Sequence, residues 1–178
     1  MSQPPIPYEF LPQVPSFEVH SDDINDGEML SLPQVSGIFG AGGEDISPHL
    51  VWAGAPADTQ SYAVTCFDPD APTGSGFWHW VAYDIPAQIS DLPTGAGSQD
   101  GVLLPEGAKH LKNDAGLYGY LGSAPPAGHG VHRYIFAVHA LNVDALPINE
   151  NVSPAICGFN MFGSTLARAI ITPVYEQN

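Results

Sequence analysis

Apolar residues in this chain fall into short runs, some alternating with polar ones and some unbroken, and turn-forming residues separate the runs. Residues 16–21 (SFEVHS) set Phe17 and Val19 against polar neighbours, which predicts a short strand. Residues 61–67 (SYAVTCF) are rich in β-branched and aromatic types, and 77–85 (FWHWVAYDI) are nearly all apolar. An unbroken apolar run of this length predicts a strand covered on both faces. The longest run is 131–141 (VHRYIFAVHAL). Its two-residue repeat puts His132, Tyr134, Phe136 and Val138 on one face and Arg133, Ile135 and Ala137 on the other. Only one stretch predicts a helix. Over 160–171, Phe162, Leu166, Ala169 and Ile170 recur at helical spacing ahead of Pro173.

The remaining segments are irregular. Pro4, Pro5, Pro7, Pro12 and Pro15 predict an extended arm over 1–15. Residues 37–47 (GIFGAGGEDIS) form a glycine-rich loop with acids where a phosphate-binding loop would carry its lysine. The stretch 86–130 is dense in proline and glycine and is expected to hide short strands. No repeat or linker divides the chain, so 1–178 is expected to be a single domain. Many strands with one late helix favour two packed sheets over an alternating βαβ design.

Composition agrees with a turn-rich protein: 19 glycines and 18 prolines are spread between the apolar runs. Charge changes the picture more. Lys109, Lys112, Arg133 and Arg168 are the whole cationic complement against 19 acids, for a net charge of −15. Nucleic acid and stable membrane association are therefore not expected, because both require basic patches. Screening confines the repulsion to about 8 Å at physiological salt, so a sheltered site lined by neutral donors remains open to a small anion. The start of the chain shows no basic segment followed by an apolar one, and no window reaches the roughly 18 apolar residues of a membrane span. The expectation is a cytoplasmic protein in which Cys66 and Cys157 are free, buried thiols.

Two segments concentrate polar chemistry in apolar surroundings. In the first, Asp68-Pro69-Asp70-Ala71-Pro72-Thr73 is stiffened by its prolines and leads to His79 within an aromatic strand. Taken alone it reads sooner as a turn capped by aspartates beside a satisfied buried histidine. In the second, Ala124-Pro125-Pro126-Ala127-Gly128-His129-Gly130 feeds a strand that sends His132 and Tyr134 to the same side. Arg133 points the other way, as a structural partner for Asp70 or Asp68.

Together, DPDAPTGSGFWHW and APPAGHGVHRY resemble the two signature regions of the phosphatidylethanolamine-binding protein family, in its bacterial and archaeal Raf-kinase-inhibitor-like branch. Lys112-Asn113-Asp114, Gly116 and Gly119-Tyr120 fit the same branch, and the likeness runs from about Phe17 to Tyr175. The resemblance implies a mainly β fold, a two-sheet antiparallel Greek-key sandwich with a C-terminal helix and no cofactor. It also implies a pocket for phosphate, acetate or a phosphorylated head group, built from Asp68, Pro72, His79, Ala124, Pro125, His132 and Tyr134. Asp70 and Arg133 would stand nearby as structural residues. Tyr134, His79 and His132 would donate to the anion, and Asp68 would accept from a head-group amine or orient a histidine. Leu121 and Ser123 stand where the family often has glycine and proline, and Ala115 replaces a common aromatic, which leaves ligand preference open. Family members include inhibitors of kinases and proteases, so a regulatory role on such a partner is expected, and a homodimer is a further expectation.

Two rival chemistries use the same residues. Asp68, His79 and His132 could serve as general acid or base in a small-molecule enzyme, although no Gly-x-Ser-x-Gly nucleophile is present. Asp68, Asp70, His79, His129 and His132 could ligate a metal. Against this, His129 and His132 are expected to point apart, and neither HExxH nor paired cysteines occur. No metal is expected.

Overall fold

A computed structural model describes residues 3–178; Met1 and Ser2, the start of the predicted arm, lie outside the described residues. In chain order the elements are β1 (Glu18–His20), β2 (Leu50–Ala53), β3 (Ser61–Asp68), β4 (Phe77–Pro86), β5 (Asp91–Leu92) and β6 (Lys109–His110). They continue with β7 (His132–Arg133), β8 (Ile135–Leu141), helix α1 (Pro154–Met161), β9 (Thr165–Ile171) and β10 (Val174–Tyr175). Every named pairing is antiparallel. A five-stranded sheet runs β6-β4-β3-β8-β9, a smaller one runs β1-β2-β5, and β7 pairs with β10. β8 returns after a long connection to lie beside β3, which is the Greek-key order.

Both faces of the large sheet are covered, and this explains its unbroken apolar strands. Toward the small sheet, Val64, Cys66, Trp80, Phe136 and Val138 pack with Leu50, Trp52 and Leu92. Away from it, Ala63, Val81, Tyr83 and Leu141 meet Cys157 and Met161 of α1, while Ile135 and Ala137 meet Tyr8. Each large side chain so buried contributes about 1.5–3 kcal/mol. Cys66 and Cys157 are free and buried, one in the cluster on each side of the sheet. Burial pushes the Cys66 thiol well above its usual range and the Cys157 thiol up to about 12.

The predicted strands over 16–21, 61–67 and 77–85 correspond to β1, β3 and β4, and the run 131–141 divides into β7 and β8. The break falls at Tyr134, whose backbone N–H donates to Pro173 rather than to the ladder, at 2.9 Å. Short strands are present inside 86–130, as β5 and β6. The helix is displaced from its predicted range. It occupies Pro154–Met161, with Ser153 as N-cap accepting from the Ile156 N–H and proline at its first position. Most of 160–171 is instead β9, paired with β8 from Phe136↔Ile171 to Leu141↔Thr165. There Ala167, Ala169 and Ile171 turn inward, an alternation of two that the spacing of Phe162, Leu166 and Ile170 conceals. The arm is not fully extended either. Pro7–Glu9 forms a 3-10 turn that buries Tyr8 against the sheet. Among the described residues no helix is long and apolar enough to cross a membrane.

Asp45, an acid of the glycine-rich loop, fastens that loop to the later turn. Its carboxylate accepts from the backbone N–H groups of Gly37 and Ile38 and, across the fold, of Gly122, each at 2.8 Å. Its φ of 56° lies in the left-handed region, where aspartate is tolerated better than most residues. Asp45→Ala is therefore expected to cost about 2 kcal/mol in chemical denaturation, from stranded donors and backbone strain. An unchanged midpoint would count against this fastening role.

Candidate functional site

β3 ends at Asp68, and the chain turns through Asp70, Pro72 and Thr73 before β4 begins at Phe77. Within the turn the Thr73 hydroxyl donates to the Gly76 carbonyl. Gly76 has φ 72°, and a Cβ there would lie 2.3 Å from the Phe67 ring. Only glycine fits this approach. The turn is held from the other side by Arg133. Its Nε and Nη2 donate to the two Asp70 carboxylate oxygens at 2.8 Å, and its backbone N–H adds a third bond at 2.9 Å. Burial alone would raise the Asp70 pKa, but the Arg133 contacts outweigh it and hold the carboxyl below its ordinary value. Arg133 is thus the structural partner of Asp70 and faces away from the cavity next to it.

That cavity, of about 200 Å3, brings together Asp68, Pro72, His79, Ala124, Pro125, His132 and Tyr134. Residues distant in sequence meet because β3 has β4 on one edge and β8, the continuation of β7, on the other. The turn 122–126 closes the far side. Gly122 is required there, since a Cβ would sit 2.4 Å from the Val35 carbonyl carbon.

The polar groups divide into engaged and free. Asp68 Oδ1 accepts from the Asp70 N–H at 2.7 Å, and Oδ2 contacts His132 Nδ1 at 2.7 Å. His132 Nε2 lies 2.7 Å from His129 Nδ1. Both ring nitrogens of His132 are therefore occupied, one by Asp68 and the other by His129. His129 and His132 do not point apart as expected, because the turn through Gly130 folds the two rings against each other, with centroids 5.0 Å apart. His79 Nδ1 lies 2.8 Å from the Leu121 carbonyl, which can only accept, so Nδ1 carries a proton and Nε2 remains free. Burial lowers the His79 pKa; the Leu121 bond and the charges of Asp68 and Asp114 oppose this without reversing it.

Tyr134 is the unusual member. It is 1% exposed, yet its hydroxyl has no hydrogen-bond partner. Ser123 lies close enough to offset part of the rise in the Tyr134 pKa, but the two hydroxyls are not in bonding geometry and Ser123 Oγ is also unpartnered. Burial above all, followed by the charge of Asp68, keeps Tyr134 a neutral phenol and hence a donor. Orphaned buried donors cost about 1–3 kcal/mol each, and a native site that carries one next to a cavity has a donor ready for a ligand. His79 and Tyr134 meet edge to face with centroids 5.1 Å apart.

Phe39, Ala71, Thr73, Phe77 and Pro126 also line the cavity. Of these Phe39 could have been found, as the lone aromatic in the loop GIFGAGG; it is 56% exposed. Among the described residues no three histidine, cysteine, aspartate or glutamate side chains converge to hold a metal.

A scan against protein families matches the phosphatidylethanolamine-binding protein family over residues 20–176. The chain belongs to that family. Among phosphatidylethanolamine-binding proteins it is similar to the UPF0098 protein YbcL of Escherichia coli (strain K12), at 46% identity over 94% of this chain and 91% of YbcL. It is also 47% identical to YbhB of the same organism, over 88% of this chain and 98% of YbhB. The crystal structure of E. coli YbcL superimposes with a TM-score of 0.89 at 45% identity, covering 92% of this chain and 99% of the other. Carboxypeptidase Y inhibitor, solved in complex with its cognate proteinase, matches at 18% identity with a TM-score of 0.57 over 92% of this chain and 85% of its own, and so shares the fold alone. At two positions where the sequence departs from the family pattern, Leu121 supplies the carbonyl that holds His79 and Ser123 adds an unpartnered hydroxyl beneath the turn.

Proposed function

We propose that the cavity binds one small anionic group, a phosphate or phosphorylated head group, through Tyr134 and His79. In doing so the chain would regulate a partner protein such as a kinase or protease in the cytoplasm. The observation that carries the reading is the Tyr134 hydroxyl, buried at the cavity and unpartnered. The volume of about 200 Å3 suits a head group rather than a whole lipid, since drug-sized sites begin near about 300 Å3. Asp68 and His132 orient the site, and Pro72, Ala124 and Pro125 form its walls.

Sulfate is the cleanest probe, because its charge is constant over the histidine range. Tyr134→Phe is expected to weaken sulfate and phosphate about tenfold in calorimetry while leaving the denaturation midpoint unchanged or raised, because the lost hydroxyl bonds nothing in the protein. Unaltered affinity in Tyr134→Phe would overturn the assignment. His79 is neutral near pH 7 and donates from Nε2 only when protonated. Sulfate affinity should therefore rise as pH falls below the ordinary histidine value of about 6.5, and His79→Gln should flatten that rise. A flat wild-type profile from about pH 8 to about pH 5 would remove His79 from the site.

The buried chain Asp68–His132–His129 favours a second reading, acid–base catalysis on a small substrate, since it links a carboxylate to an exposed imidazole. Turnover of p-nitrophenyl phosphate or acetate that disappears in His132→Ala would establish it. A dimer of this chain is part of the regulatory reading, and light scattering reads it directly.

A further inference from the structure

A second concavity lies on the face of the large sheet away from the small one, between the N-terminal arm and α1. Its volume is about 430 Å3, and its apolar walls include Leu11, Trp78, Phe159 and Phe162. Phe159 is 79% and Phe162 56% exposed. The polar part of the lining contains Arg168 and His139.

Arg168 is unusual for this chain. Lys109 is paired with Asp84 and Arg133 with Asp70, and Lys112 stacks over Tyr118. Arg168 is partly buried, and among the described residues no carboxylate pairs with it, despite 19 acids in the chain. Its Nε donates to His139 Nδ1 at 3.2 Å, and its guanidinium lies 4.4 Å from the centre of the Tyr8 ring. The two Nη groups donate to nothing among the described residues. A cation that burial disfavours and no counter-charge offsets is costly, and Arg168 is part of the lining of a groove of ligand size.

We propose that this groove binds a small apolar carboxylate, with its acid group on the Nη atoms of Arg168 and its hydrocarbon or aromatic body against Trp78, Phe159 and Phe162. With Nε occupied by His139, the two Nη atoms offer parallel N–H bonds that match the two oxygens of one carboxylate. A single cation neutralises a monoanion and would leave a dianion's second charge uncompensated in apolar surroundings. The size and lining are those of a small-molecule site: mostly apolar, with a few placed polar groups. Tyr8 and Arg168 hold each other in place, so the arm forms one wall of the groove.

Decanoate and decanol separate the acid group from the apolar body. Calorimetry should show decanoate binding about tenfold or more tighter than decanol. Arg168→Met should remove that advantage and leave decanol unchanged. Phe159→Asp, at a side chain too exposed to threaten the fold, should weaken both. Saturating sulfate, which the proposed function assigns to the Tyr134 cavity, should not compete, so this site can stand if that reading falls and fall if it stands. Equal binding of decanoate and decanol, no change in Arg168→Met or Phe159→Asp, or displacement of decanoate by sulfate would each overturn the inference. So would a dimer in light scattering that excludes decanoate until Phe159→Asp dissociates it, because the groove would then hold a second copy of the chain.

Discussion

Lowering the pH from about 7 to about 5 is expected to remove about 4 kcal/mol of folding stability, chiefly through His139 and His110. In the folded chain His139 Nδ1 accepts from Arg168 Nε–H at 3.2 Å, while Nε2 meets the Thr65 hydroxyl at 3.1 Å. A proton on Nδ1 would place two donors face to face, next to a fixed positive charge. Burial first, and then the Arg168 charge, take the His139 pKa down to about 3. His110 is held neutral by burial, with a pKa of about 4, and its Nδ1 accepts from the Trp80 indole at 3.2 Å. Each folded-state value lies below the unfolded value of about 6.5, so below that pH the unfolded chain binds more protons and stability falls. At about 1.4 kcal/mol per pH unit, each histidine removes about 2 kcal/mol by pH 5. The loss continues until the folded-state values are reached.

Protonating carboxylates acts in the opposite direction, because it relieves the repulsion of a chain at −15. Ordinary carboxylates titrate near about 4, however, so that relief arrives mostly below the window in question. Urea midpoints at intermediate pH values test the expectation. His139→Gln, which keeps a neutral polar group without a titrating one, should reduce the slope by about half. A wild-type stability that is flat from pH 7 to 5, or a slope untouched in His139→Gln, would show that these rings are not the source.

The strands that frame the site were legible because their composition and their burial agree. β3 and β4 are covered on both faces, and runs such as SYAVTCF and FWHWVAYDI have few other ways to be satisfied. The membership of the cavity was legible through two motifs. Their meeting was not readable from periodicity, since it depends on β3 lying between β4 and β8. The division of labour within the site was also hidden. Nothing local in the sequence says that His132 spends both nitrogens on Asp68 and His129, or that Tyr134 is left without a partner. The expected C-terminal helix is present, and only its bounds differ, for a specific reason. Residues 162–171 satisfy a helical spacing and a strand alternation at once, and pairing with β8 decides between them. The true helix is short, carries exposed Ile156 and Phe159 with Gly158 between them, and announces itself only through Ser153-Pro154. The folding of the arm onto the sheet through Tyr8 and Arg168 had no sequence signal beyond the aromatic itself.

Removing the guanidinium that fastens the aspartate-proline turn should be the most damaging single change near the site. Arg133→Met is expected to cost about 3 kcal/mol, because it strands the Asp70 carboxylate, whose side chain is 8% exposed, with only the backbone N–H of residue 133 as donor. The bond from Arg133 Nη2 to the Pro4 carbonyl at 2.6 Å is lost with it, which frees the start of the arm. The penalty belongs to the unpaired charge more than to the pair itself. Asp70→Asn in the Arg133→Met background should therefore recover stability, with a coupling of about 2 kcal/mol in a double-mutant cycle. Asp68 and Pro72 lie on either side of Asp70, so the single variant should also loosen the cavity and weaken sulfate binding, and the double variant should restore part of it. Additive costs, with no recovery in the double variant, would mean that the bidentate pair does not carry the turn. The positions of Asp68 and Pro72 would then have to be held by β3 and the prolines alone.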